Sequence, residues 1–176
     1  MGLDPEVTRL MQGAFARREI SKSYLAIVRG WLDESGVLDR PLRKHGGGRE
    51  EALTNYRTLA HATLPYPVGN YPEARYSLVR AEPVSGRRHQ IRRHLSNASH
   101  PIVGDAVHGD GKHNRLFRSL FNCYHLLLHA ERISFQHPVL EERITLTIPP
   151  HNDFLEICHR LGWESHLETE NTRIPG

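Results

Sequence analysis

Three stretches of this chain read as strands, and they follow one another with no helical period between them. Residues 23–31, SYLAIVRGW, are rich in β-branched and aromatic side chains. In residues 53–60, Leu53, Asn55, Arg57 and Leu59 alternate with Thr54, Tyr56 and Thr58, and residues 75–83 alternate again. A period of two is the mark of a strand with one face in a core. The segments between them are breakers: a turn-rich stretch over 32–42, the loop KHGGGREE over 44–51, and an irregular connector over 63–74 that holds three prolines. Further on, residues 125–138 read as a strand or a bent pair, and residues 142–149 alternate cleanly. Strands in runs, joined by short connectors, predict an α+β fold with a mixed, mainly antiparallel central sheet flanked by helices.

The helices are scattered. Asp4-Pro5-Glu6 is a helix opening, with a capping Asp, Pro at the first helical position and an acid in the first turn. Val7, Leu10, Met11, Ala14 and Phe15 continue it at helical spacing, and Arg17-Arg18 suit its end. Further helices are predicted over 88–99, 113–121 and 153–161, the last with Asp153 as its cap. The chain is expected to form one domain over 1–163, followed by a polar, flexible tail over 164–176.

With 38% hydrophobic residues and a net charge of +3, the composition is that of a globular protein and not a disordered chain. Two cysteines, Cys123 and Cys158, build no disulfide framework and fit a reducing compartment. No apolar run reaches the ~18 residues that would span a bilayer. No charged region followed by an apolar block opens the chain, so a cytoplasmic protein without membrane partners is expected.

The stretch GRRHQIRRHL, residues 86–95, concentrates positive charge. On a helical wheel Ile91 and Leu95 share the core-facing stripe, and Arg92 flanks it. A guanidinium held partly inside without an anionic partner costs several kcal/mol, so Arg92 is expected to meet a buried acid. Arg88 would lie one turn before Arg92, and Arg87, Arg88 and Arg93 would stay outside as phosphate contacts. A solvated basic face with incidental ion pairs is the alternative reading of the same spacing. Arg80, Lys112 and Arg115 add to the case for an anionic polymer.

Beyond its charge pattern, the chain resembles a known family. SKSYLAIVRGW, then VLDRPL, then RYSLVRAEPVSGRRHQIRRHLSNASHPIVGDAVHGD, then LLLHAERISFQHP, are similar to the RluA-type pseudouridine synthases. The resemblance covers residues 3–163, and its most specific element is GRxHQ[IL]R followed by HPIxGD. It implies an isomerase that turns uridine into pseudouridine in RNA, without metal or organic cofactor. By motif position Tyr24 would stack on the extruded uracil, and Arg92 would pair with a catalytic aspartate. Arg87, Arg88, His89, Gln90, Arg93 and His94 would contact RNA. Asn70-Tyr71-Pro72, the Arg92-Arg93 pair and Asn114-Arg115 after GDAVHGD point to a subgroup acting on tRNA at uridine 65, with ribosomal RNA as the alternative. Without the resemblance, Tyr24 would be read as a core tyrosine of a strand.

The family's aspartate lies in an H-R-L-D-R-x-T-S-G stretch, which these residues do not contain. Asp39 in VLDRPL lacks the flanking residues and reads as a turn position, and Asp4 as a helix cap. The chain is therefore expected to correspond to the C-terminal two-thirds of a synthase domain. Alone it is expected to be inactive, with an apolar sheet face left open and a tendency to self-associate. The acid facing Arg92 would come from an earlier stretch of polypeptide, and Asp105 is expected to bond to backbone or to an arginine.

Two other readings compete. Thirteen histidines, with His125 and His129 four apart, suggest a metal-dependent hydrolase, but no HExxH or tight carboxylate spacing accompanies them, and no metal site is assigned. A non-catalytic RNA-binding module fits the basic helix and the missing aspartate. GDAVHGDGKHN lacks the GKS or GKT ending of a phosphate-binding loop.

Overall fold

The computed structural model describes residues 5–17, 19–44 and 46–167. Its centre is a six-stranded sheet built from β1 (Ser21–Arg29), β2 (Ser35–Asp39), β5 (Leu53–Leu64), β6 (Ala74–Pro83), β7 (Leu128–Gln136) and β8 (Arg143–Thr147), in the order β2-β5-β6-β1-β7-β8. Each pairing is antiparallel, so the mixed character expected from sequence is absent among the described residues. The glycine-rich loop turns between two short strands, β3 (Leu42–Arg43) and β4 (Arg49–Glu50), which pair with each other.

Alternation along the central strands sends side chains to two cores. Leu25, Ile27, Tyr76 and Leu78 pack on one side with Phe117 of α3 (Gly111–Phe121), Phe154 and Ile157 of α4 (Asn152–Arg160), and Trp163. Ala26, Val28, Val79 and Ala81 pack on the other side with Ile91 and Leu95 of α2 (Gln90–Asn97), and Tyr24 lies against this second cluster. β1 and β6 thus carry apolar residues on both faces, because each face has its own helical cover.

Several boundaries differ from the sequence expectation. Residues 35–39 form β2 rather than a turn. It is an edge strand with Val37 and Asp39 in solvent, so its alternation carries little hydrophobic signal. α2 begins at Gln90 because His89 takes a left-handed conformation, φ 53°, which places Arg88 outside the helix. His151 rather than Asp153 caps α4. α1 (Pro5–Ala16) matches its prediction, and Arg17 turns out to bond Glu19 at 2.6 and 3.0 Å; the proposed cap Asp4 lies outside the described residues. Glu164–His166 form a 3-10 turn where a loose tail was expected, and residues 168–176 lie outside the described residues. No helix among the described residues is long and apolar enough to cross a membrane. The edge strand β8 leaves Leu146 exposed, with Ile148 exposed just after it.

Candidate nucleic-acid interface and active cleft

The basic turn before α2 is fastened from below by two residues that sequence had assigned to RNA. The Gln90 carboxamide oxygen accepts from Ser85 Oγ at 2.8 Å and from the Arg87 amide at 3.0 Å. Its nitrogen donates to the Leu53 carbonyl and to Thr54 Oγ1, both at 3.0 Å. His94 bonds Thr54 Oγ1 through Nδ1 and the Arg40 carbonyl through Nε2, each at 3.0 Å. A carbonyl only accepts, so Nε2 carries the proton and Nδ1 accepts from Thr54. Gln90 and His94 are 4% and 1% exposed, and their polar atoms are spent inside the protein. Both are therefore corrected from RNA contacts to struts that hold α2 on β5.

Arg92 meets its acid as expected, and the acid is Asp105. Nε and Nη2 of Arg92 donate to the two carboxylate oxygens, each at 2.7 Å, with the Asp105 side chain fully buried and Arg92 17% exposed. The partner lies within the chain, which corrects the expectation that an earlier stretch would supply it. Asp105 Oδ1 also accepts from the amides of Val107 and His108 at 2.9 Å. Burial on its own would raise the Asp105 pKa, but the Arg92 bond and the two amides outweigh it and hold the carboxyl at about 2.

The loop carrying Asp105 is built by glycine and asparagine. Gly104 has φ +80°, and a Cβ there would lie 1.8 Å from the His125 carbonyl oxygen. At Gly109 a Cβ would sit 2.1 Å from the Asp105 carbonyl oxygen. Asn114 of α3 receives the Gly104 amide at 2.8 Å and donates to the Asp105 carbonyl at 2.9 Å.

Tyr24 and Arg92 line one open cleft of about 260 Å³, with Lys22, His89, Ile91 and Leu128 among its other walls. The two residues singled out by the family resemblance thus share one site, 68 positions apart in sequence. Burial raises the Tyr24 pKa, so the phenol stays protonated at neutral pH. Burial also lowers the Lys22 pKa. His89 and His108 share a 3.2 Å hydrogen bond at the rim. Both have lowered pKa values, from burial first and then from the Arg92 charge among others, so the pair is neutral at pH 7. An aromatic face with apolar walls and a fixed cation suits a flat, polar base taken out of its stack.

The remaining expected RNA contacts are arranged unevenly. Arg88 is exposed and Arg93 half-buried, while Arg87 is tied down by Glu50 at 3.1 Å and by the Glu51 carbonyl at 3.2 Å. Lys22, His108 and Leu128 were not anticipated from sequence. Lys22 carried a signal, since it lies two residues before Tyr24 on the same strand and so on the same face. Elsewhere, His125 and His129 gather around His151 at ring distances of 5.6 and 6.4 Å, and His129 Nε2 bonds the Ile148 carbonyl at 2.8 Å. Among the described residues no three His, Cys, Asp or Glu side chains form a metal-ligand group.

Comparison with known proteins agrees with this geometry. A tRNA pseudouridine synthase C of Vibrio parahaemolyticus is 39% identical over 94% of this chain and 72% of its own length. Another protein of that description, from Salmonella typhi, is 37% identical over 99% of this chain and 71% of its own. Two solved structures share the fold. Human RNA pseudouridylate synthase domain containing 1 has a TM-score of 0.67 at 22% identity, covering 84% of this chain and 62% of that one. Human RNA pseudouridylate synthase domain containing 4 has a TM-score of 0.69 at 23% identity, covering 90% and 69%. The RNA pseudouridylate synthase family model matches residues 1–97, a span that contains both Tyr24 and Arg92, and with the relatives' identity this establishes that the chain belongs to that family of isomerases.

Proposed function

We propose that this chain takes part in converting uridine 65 of tRNA to pseudouridine in the cytoplasm, with Tyr24 and Arg92 at the reaction centre. The observation that carries the reading is that the Tyr24 ring and the Arg92 guanidinium wall one cleft, with Arg92 locked by the buried Asp105. Extruding the base costs a few kcal/mol, and stacking on Tyr24 returns about 1–3 kcal/mol. The reaction breaks the bond from the sugar to N1 of uracil and forms one from the sugar to C5. The proton leaves C5 and one is gained at N1, so atoms balance with no co-reactant.

The reaction also needs a carboxylate that can reach the sugar or the base. Asp105 accepts four hydrogen bonds, is buried and lies behind Arg92 rather than in the cleft wall, and the residues that line the cleft include no acid. We therefore expect these 176 residues alone to bind RNA without turning it over. The test is to incubate the purified chain with unmodified tRNA, digest it, and separate the nucleosides. Salt-dependent binding with no pseudouridine is the expected result. Turnover would refute the inactivity, and absence of binding would refute the RNA assignment. The acid-free cleft equally favours a non-catalytic RNA-binding role, and an in-frame His-Arg-Leu-Asp upstream of Met1 would decide for the synthase.

A further inference from the structure

A second cavity, of about 720 Å³, lies where the connector between β5 and β6 meets the start of α3, and its walls include Arg29, Asn70, Tyr71, Arg75, Lys112 and His113. That volume is in the range of small-ligand pockets. The cavity is separate from the Tyr24 cleft. Tyr24 lies against the α2 core, whereas Leu25 and Ile27 point to the α3 core, and Arg29 follows them on that alternation. Arg29 is also five residues, roughly 17 Å, along β1 from Tyr24.

Tyr71 is 72% exposed, the most exposed large apolar side chain among the described residues, so the core does not require its ring. Its backbone is nevertheless fixed. The Val68 amide donates to the Tyr71 carbonyl at 3.0 Å and the Tyr71 amide to the Val68 carbonyl at 3.2 Å, around a turn with Gly69 at φ +63°. Val68 anchors that turn in the core below. The Lys112 side chain lies against the turn, since a Cβ on Gly69 would stand 3.3 Å from Nζ. The two carboxylates in the cavity wall are engaged. Asp110 receives Arg29 at 2.6 Å and the Lys112 amide at 2.9 Å, and Glu73 receives Arg75 at 2.7 and 2.9 Å. The Lys112 ammonium has no carboxylate in ion-pair reach among the described residues.

We propose that this cavity binds one unpaired nucleotide of an RNA strand, with its base stacked on Tyr71, the base edge facing Asn70 and His113, and a phosphate held by Lys112. The inference rests on the RNA reading above for the identity of the polymer, because a free nucleotide presents the same base and phosphate. An exposed ring on a rigid turn offers a face to any base, and an unpaired cation beside it offers charge to the phosphate. His113 spends Nδ1 on the Tyr76 hydroxyl at 2.8 Å, which leaves Nε2 for a hydrogen bond to the base. Arg75 stands over the Trp31 ring at 4.6 Å, and its exposed pairing with Glu73 is worth little in water, so the guanidinium adds positive charge to the same wall.

The test follows binding of the purified chain to a fluorescent single-stranded oligouridylate by anisotropy over a range of salt, with uridine monophosphate titrated separately by calorimetry. Tyr71→Ala is expected to weaken oligomer binding about 5- to 150-fold, and Tyr71→Phe to retain it. Lys112→Gln is expected to lower the slope of log affinity against log salt by about 0.7, and Lys112→Arg to keep it, which separates charge from fold. The Tyr71→Ala loss should recur undiminished in a Tyr24→Ala background, because the two rings are far apart. If Tyr24→Ala weakens binding while Tyr71→Ala and Lys112→Gln match wild type, the cavity is overturned and the cleft reading stands. If Tyr71→Ala abolishes binding of uridine monophosphate but leaves the oligomer unaffected, the occupant is a free nucleotide and the RNA assignment of the cavity is overturned. If wild type binds no RNA, both fall.

Discussion

Arg92 on α2 and Asp105 in the loop after it, 13 residues apart, form a two-bond fork with both distances at 2.7 Å. The fork joins the basic helix to the glycine loop. Because both charges are withdrawn from water, its value lies less in net stability than in the cost of leaving either member alone.

Arg92→Ala or Asp105→Ala should therefore each destabilise the fold by about 3–5 kcal/mol, through the charge left unpaired. Replacing both with apolar residues of similar size, Arg92→Met with Asp105→Leu, should cost less than either single change. Arg92→Lys should rescue poorly, since an ammonium cannot make two parallel bonds. Urea unfolding midpoints measure all four, and additive losses in the double variant would contradict the pairing.

Gly104→Ala should be among the most damaging single changes. Its Cβ would meet the His125 carbonyl oxygen at 1.8 Å in a backbone conformation that side chains disfavour. A loss above about 2 kcal/mol is expected, together with weaker RNA binding as Asp105 shifts. Gly46→Ala, where nothing lies within 4 Å of the added carbon, is the control and should stay within about 0.5 kcal/mol.

Tyr24→Phe should retain tRNA affinity, because the stacking face is unchanged. Tyr24→Ala should lose about 1–3 kcal/mol of binding, roughly 5- to 150-fold in Kd. Equal affinities for wild type and Tyr24→Ala would show that the ring is only a packing residue of β1.

Stability should fall in two steps with acid. His94, His89, His108 and His113 have folded pKa values lowered first by burial, so the folded state favours their neutral forms. Their contribution is complete above the unfolded value of about 6.5 and is lost as pH falls below it. Asp105 and Glu131 are also lowered, because their arginine partners and other hydrogen bonds outweigh burial, so their contribution disappears only below about pH 4. Thermal midpoints between pH 7.5 and 3 should show both declines. His94→Gln should start lower at pH 7.5 and fall less steeply toward pH 5.5. A midpoint rising from pH 7 to pH 5.5 would contradict the neutral tautomer assigned to His94.

Much of the fold was legible because strand periodicity is a local property. Alternation marked β5, β6 and β8, and the β-branched and aromatic run of β1 marked a strand, whose cover on both faces only the structure shows. β2 escaped because a five-residue edge strand with Val37 in solvent and only Leu38 packed inward leaves little such trace. The helical wheel found that Arg92 needed an acid, and the family motifs named Tyr24 beside it. What the wheel could not do was start the helix in the right place, since the left-handed turn at His89 depends on Gln90 being fastened to Ser85 and to β5.

The sequence by itself determined the long strands, the charged helix and the need for a buried counter-charge, because these follow from the spacing of neighbours along the backbone and from the cost of dehydrating an ion. Only the tertiary structure decided that Asp105 is that counter-charge, that Thr54 turns Gln90 and His94 inward, and that Lys22 joins Tyr24 and Arg92 in one cleft. Those outcomes depend on which side chains the sheet register and the Gly104 turn bring face to face, and spacing along the chain carries no information about what lies across it.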